Sequence, residues 1–133
     1  MSAALESVRK LSPADSMDTF DCGQPALNQF LQRYALVNQK ANSAQTYVSC
    51  QAGEVVGFYS LAVGSVNPVD APARVMKGLA RHAVPVMILA QLAVDRDHQG
   101  KWLGKALLKD ALLRTLQAAD IAGIRCLLIT CQG

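Results

Sequence analysis

The chain has 133 residues, of which 51% are apolar and 17% charged, and carries a net charge of +3. That length suits a single domain over 1–133 with a core of its own, and the composition excludes a disordered chain. The mild positive charge permits a nucleic-acid partner without arguing for one.

With aromatic residues at only 5%, the core must be built mainly from Ala, Val, Leu and Ile. Met1 to Lys10 contains no apolar stretch of signal-peptide length. The longest apolar run, Val84 to Val94, is broken by Pro85 and Gln91 and falls short of a membrane span. A soluble, cytoplasmic protein with no membrane partner is expected. The four cysteines, at positions 22, 50, 126 and 131, form no C-x-x-C pair. His82 and His98 are not at ligand spacing from any of them, so reduced thiols and no metal site are expected.

Leu5 to Leu11 alternates loosely and suits an edge strand, followed by the turn signal Ser12-Pro13-Ala14-Asp15. After the breaker cluster Phe20 to Pro25, the residues Ala26, Leu27, Phe30, Leu31, Tyr34, Ala35 and Leu36 recur at helical spacing. They predict an amphipathic helix over about 25–39, with Pro25 tolerated in its first turn. Thr46 to Cys50 and Val55 to Val63 predict a hairpin with Gly53 in its turn. Gly64 to Arg81, with Pro68, Pro72 and Gly78, reads as loop or broken helix. Val84 to Val94 is a nearly continuous apolar strand, expected to be buried on both faces. Leu103 to Ala119 predicts a helix with a buried stripe of Leu103, Ala106, Leu107, Ala111, Leu113 and Leu116. Ile124 to Thr130 predicts a last strand.

The most informative stretch is Leu89 to Ala111, where a buried strand ends in a short glycine-containing loop and a helix begins. A helix start presents unpaired N–H groups and the positive end of the helix dipole, and glycines let the backbone approach an anion closely. Lys101, Lys105 and Lys109 add positive charge near this end.

This segment resembles the signature Q/R-x-x-G-x-G/A of the GNAT acetyltransferases. Gln99 stands at its first position and Gly104 at its last. The resemblance extends to Phe20-Asp21-Cys22-Gly23, Leu27-Asn28, Phe30-Leu31, Tyr34-Ala35, Val56 to Leu61 and Leu89 to Asp95, in order along the chain. This series is similar to the GNAT toxins of bacterial toxin–antitoxin pairs. It implies an α/β (α+β) GNAT fold, a mixed and mostly antiparallel sheet flanked by helices. It implies acetyl-CoA held by Leu92, Ala93, Val94, Gln99, Gly100, Lys101, Trp102, Leu103, Gly104 and Lys105. It further implies acetylation of the α-amino group of aminoacyl-tRNA, which blocks translation, and a ribbon-helix-helix antitoxin as protein partner.

Two departures from the family pattern stand out. Trp102 occupies the central glycine position of the motif, where its side chain adds bulk and is expected to remove access to positive φ. Three placements are open: outward with binding preserved, stacked on the adenine, or blocking the loop, with weakened or abolished binding the leading expectation. The chain also reaches Gly133 soon after the predicted last strand, so the fold is expected to lack the family's last helix and strands. With them goes the F-Y dipeptide whose Tyr serves the family as general acid, leaving the catalytic residue unassigned. Loss of such a group lowers a rate by roughly 10²–10⁴. Among Tyr34, Tyr47 and Tyr59, only Tyr59 is a candidate to face an acceptor, with packing on the sheet the stronger reading. An uncovered final strand invites pairing with a second copy, so a homodimer or swapped assembly is expected.

Lys77, Arg81 and His82 are candidates to meet tRNA phosphates, although so sparse a cluster reads more readily as ordinary surface. The alternative to an active, impaired enzyme is a non-catalytic GNAT remnant that binds the antitoxin or a homologue. A transferase acting on small molecules or proteins is a third reading, disfavoured by Phe20 to Ala35.

Overall fold

Apolar alternation, glycine-bearing turns and helical stretches organise the described residues into a sheet with helices on both faces. The computed structural model describes residues 5–66, 84–122 and 127–129. The strands are β1 (Arg9–Lys10), β2 (Gln45–Gln51), β3 (Glu54–Val66), β4 (Val84–Val94) and β5 (Leu127–Ile129), lying side by side in chain order. Neighbours are antiparallel except for β4 and β5, which run parallel. The predicted edge strand thus forms as a two-residue pairing, extended by a bridge between Leu5 and Gln51.

The β2–β3 hairpin turns through Ala52 and Gly53, at φ +54° and +81°. Two successive left-handed residues match the twist of the strands they join. Register slips twice. Between Ser49 and Cys50 one extra residue of β3, Val56, enters the ladder. Between Ser60 and Leu61 the pairing with β4 skips Ala90. Each bulge reverses which residues face which side. β3 continues to Val66, so Gly64 to Val66 are strand where loop was expected; the rest of that stretch, with Lys77, Arg81 and His82, lies outside the described residues.

The predicted helix over 25–39 is three consecutive pieces: α1 (Pro25–Gln29), a π turn (Phe30–Tyr34) and α2 (Ala35–Lys40). The wider turn rotates the face, so Leu31 and Ala35 are buried whereas Tyr34, expected on the apolar stripe, is exposed. This run packs on one side of the sheet through Leu31, Ala35, Val48, Val55 and Phe58. Phe58 meets Phe20 edge-on at 5.4 Å and stacks on Phe30 at 6.0 Å.

The other side is covered by α3 (Leu103–Ala122), which seats Leu103, Leu107 and Ala111 against Val56, Tyr59, Leu61, Met87 and Leu89. The buried line runs at four-residue intervals and ends at Thr115. Ala106, Leu113 and Leu116 of the expected stripe are exposed instead. Gly57 explains the seat: a Cβ there would lie 3.0 Å from Leu107 Cδ1 and 3.2 Å from a Leu103 methyl, so its absence lets α3 press onto β3. β4 is buried on both faces only in part. Val86, Met87, Leu89 and Ala93 are buried, while Leu92 and Val94 are half-exposed beside the start of α3.

A polar cluster fastens α3 near its middle. The Tyr59 hydroxyl donates to Asp110, and Arg114 Nε donates to the same carboxylate oxygen at 2.8 Å. The Arg114 guanidinium lies 4.2 Å over the Tyr47 ring, which stacks on Tyr59 at 5.3 Å.

Candidate functional site

The site forms where β4 ends and α3 begins. Asp95 leaves the strand and caps a 3-10 turn, Arg96–His98, its carboxylate accepting the Asp97 N–H at 3.0 Å. Its other oxygen accepts the Asp21 N–H at 3.1 Å, while Arg96 N–H donates to the Asp21 carbonyl at 2.8 Å. Asp21 also closes its own turn, accepting from Gly23 N–H and from Asn28. Those contacts, the Gly23 N–H first, hold its carboxyl below the usual range. The segment Phe20 to Gly23 is thereby strapped against the loop.

Gln99, at the first motif position, spends its side-chain amide on the fold. Nε2 donates to the Val94 carbonyl at 2.9 Å and to the Cys22 carbonyl at 3.0 Å. Gly100 then turns at φ +78° and Trp102 at φ +69°. The first α3 hydrogen bond runs from Ala106 N–H to the Trp102 carbonyl at 3.0 Å. The N–H groups of Leu103, Gly104 and Lys105 are therefore left at the helix mouth, as at any helix start. An open cleft of about 370 Å³ is lined by Gly100, Trp102, Gly104 and Lys105.

The expectation that a Trp would deny the loop positive φ is overturned. Trp102 holds the left-handed conformation itself, and the residue is 74% exposed, with the Lys105 ammonium 4.5 Å from the ring centroid. That conformation costs an ordinary residue roughly 1–2 kcal/mol. Trp102→Gly is accordingly expected to be more stable than Trp102→Ala by about 1 kcal/mol, reversing the usual penalty for glycine. Urea unfolding of the pair checks it; an alanine variant as stable as the glycine one would refute a left-handed residue 102.

The glycines border open space. A Cβ on Gly100 would meet nothing within 4 Å, and one on Gly104 only Val94 Cγ2 at 3.8 Å. Packing of the chain therefore does not demand a small residue at either position, and the room faces outward, where an anion would approach the helix start. Of the other predicted residues, Ala93 is buried, Leu92 and Val94 line up on β4 opposite Tyr59 and Gly57, and Lys101 is exposed.

No tyrosine reaches this cleft among the described residues. Tyr59 is fully buried beneath α3, where burial and then Asp110 push its hydroxyl far above the ordinary phenol range. It stays protonated and out of reach of a substrate. His98 is a loop residue, with Nε2 3.0 Å from Gln51 Oε1. Cys22 and Cys50 are buried and free, and burial pushes the Cys50 thiol up to about 11, away from nucleophile chemistry. Cys126 and Cys131 lie outside the described residues. Among the described residues there is no cluster of three His, Cys, Asp or Glu side chains placed to hold a metal, and no helix long and apolar enough to cross a membrane.

Sequence reasoning assigned no role to Asp21 and Asp95, the two carboxylates that tie the loop in place. The signals were present: Asp-x-Gly at 21–23 is an Asx-turn pattern, and Asp95 followed by Asp97 is a capping pattern.

Residues 7–132 match the acetyltransferase (GNAT) family. The chain is 46% identical over 121 residues to a tRNA-acetylating toxin of Mycobacterium tuberculosis (strain ATCC 25618 / H37Rv), covering 91% of this chain and 72% of that protein. It is 28% identical to a probable toxin TacT of Sinorhizobium fredii, covering 83% of this chain and 62% of that one. Among solved structures, it resembles AtaT complexed with acetyl-methionyl-tRNAfMet at a TM-score of 0.87 and 24% identity, over 98% of this chain and 79% of that one. A point mutant of AtaT, bound to acetyl-CoA and to the C-terminus of the antitoxin AtaR, superposes at 0.81 with 26% identity, over 98% and 76%.

Proposed function

The chain belongs to the GNAT acetyltransferase family, and on that premise we propose that it binds acetyl-CoA at the β4–α3 loop and acetylates the α-amino group of aminoacyl-tRNA. One observation carries the reading: a left-handed turn at Gly100 and Trp102 opens directly into the start of α3 beside a cleft whose glycines face outward. The pyrophosphate would meet the N–H groups of Leu103, Gly104 and Lys105, with Lys101 and Lys105 adding charge. The pantetheine arm would run along Leu92, Ala93 and Val94. Gln99 serves by holding the loop to β4 and to Cys22.

In the reaction the neutral amine attacks the thioester carbonyl, the amide forms, and the departing CoA thiolate takes up a proton. Positioning and backbone polarisation supply the catalysis these residues offer. Because no tyrosine of the described chain reaches the cleft, turnover is proposed to be slow, by the roughly 10²–10⁴ that a general acid contributes. An antitoxin partner, supported by the antitoxin bound to AtaT, is proposed to be of the ribbon-helix-helix type, and a second copy of the chain completes the proposed partners.

The test is transfer of labelled acetyl from acetyl-CoA to charged tRNA, beside calorimetric titration with acetyl-CoA. The expected result is micromolar binding and slow, measurable N-acetylation. Binding without any transfer would replace the enzyme with a non-catalytic binding module. No binding would refute the assignment of the loop to acetyl-CoA.

A further inference from the structure

Trp102 combines three properties that neither its residue type nor the packing of its side chain explains. It holds a left-handed backbone unsuited to a large L-residue, it is 74% exposed, and it lines the cleft at the start of α3. An indole that contributes nothing to the core and adds steric cost where a glycine would be at ease is the kind of strained residue that accumulates at ligand sites. Its neighbour sharpens the chemistry. The Lys105 ammonium stands 4.5 Å from the ring centroid and covers one face, leaving a flat aromatic surface beside a cation. A planar heteroaromatic ring bearing an anionic group suits both at once.

We propose that Trp102 and Lys105 form a subsite for the adenosine end of CoA, the indole stacking on the adenine and the ammonium meeting the 3′-phosphate. The proposal rests on acetyl-CoA being the co-substrate. Stacking on an aromatic side chain is open to any base, so a nucleotide of tRNA has the same chemistry; the position decides for CoA. Trp102 lines one cleft with Gly100 and Gly104 at the mouth of α3, within the span of a dinucleotide-like ligand whose phosphates sit on that helix. The tryptophan that departs from the family's glycine is on this account a gain of purine contact, not an obstruction.

The chain contains a single tryptophan, so its intrinsic fluorescence reports this ring alone. The full chain is titrated with CoA, dephospho-CoA, 3′,5′-ADP, 4′-phosphopantetheine and deacylated tRNA, with calorimetry in parallel. CoA, dephospho-CoA and 3′,5′-ADP are expected to quench the emission, and 4′-phosphopantetheine to leave it unchanged. Trp102→Leu keeps a β-carbon and its backbone cost but removes the ring, and should weaken CoA about tenfold. Trp102→Phe should recover most of that loss. Lys105→Gln should weaken CoA about fivefold, more at low salt, and weaken dephospho-CoA, which keeps the pyrophosphate but lacks the 3′-phosphate, by clearly less. Equal losses for the two ligands would overturn the pairing of Lys105 with the 3′-phosphate.

CoA binding by calorimetry with no quench, or equal CoA affinity in Trp102→Leu, would overturn the subsite and leave the acetyl-CoA assignment standing. Quenching by tRNA and not by 3′,5′-ADP would assign the ring to the acceptor instead. Absence of any CoA binding would overturn both readings.

Discussion

Leu107→Ala is expected to lower the unfolding free energy by about 3 kcal/mol, within the range for a buried leucine. Leu107 is fully buried, and its Cδ1 rests over Gly57, so truncation leaves a void that a flat strand cannot fill. For a chain of this length that corresponds to a drop of roughly 10 °C in melting temperature. The effect should reach the site, because the same helix carries Leu103 and Gly104 at the loop: acetyl-CoA affinity should fall along with stability. The control is Leu116→Ala. Leu116 is 67% exposed, and its truncation should change stability by less than about 0.5 kcal/mol. Thermal melts of the two variants decide between the stripe read by periodicity, which contains both leucines, and the one formed on folding, which contains only Leu107. Equal losses would refute the seating of α3 described above.

Asp15→Ala is expected to cost about 2 kcal/mol. The Asp15 side chain is only 6% exposed, and it accepts from Arg9 Nη1 at 2.8 Å, Arg9 Nη2 at 2.7 Å and the Ser12 N–H at 2.8 Å. Removing one partner of a wholly buried pair costs roughly 3–5 kcal/mol. Arg9 is 39% exposed and can regain water, so the lower figure applies. The Arg9 hydrogen bonds, as the leading cause, hold the Asp15 carboxyl below its usual range. A depressed carboxylate contributes stability above its unfolded value, near pH 4, and loses it as pH falls through its folded value. The urea midpoint of the natural chain should therefore fall on acidification below about pH 4, and that of Asp15→Asn should fall less. Parallel acid profiles would exclude Asp15 as the group responsible.

The elements that can be read directly are those whose signal is local. Val84 to Val94 is a strand over the predicted range because a nearly continuous apolar run between turn signals has few other uses. The Gly53 turn, the helix starting at Leu103 and the glycine loop before it follow from residue types at fixed spacing. The misreadings share another cause. Tyr34 leaves the buried face because a π turn inserts an extra residue per turn, which no apolar period registers. Periodicity puts Leu113 and Leu116 in the core because a helix rich in leucine offers more than one apolar stripe. Which stripe is buried depends on the partner, and here Gly57 selects the line through Leu103 and Leu107.

The candidate site divides along the same boundary. Sequence alone locates the loop from Gln99 to Lys105 and the family pattern of which it is part, because glycines at set intervals between an apolar strand and a helical run are a local signal. Only the folded chain could show that the Gln99 amide serves the fold, that Asp21 and Asp95 strap two distant segments together, and that Tyr59 is sealed beneath Asp110. The conformation of Trp102 belongs to this second group. Residue type argues against a left-handed backbone there, and the strap on one side with α3 on the other imposes it, because local preference amounts to about 1–2 kcal/mol and the packing of two anchored elements outweighs it.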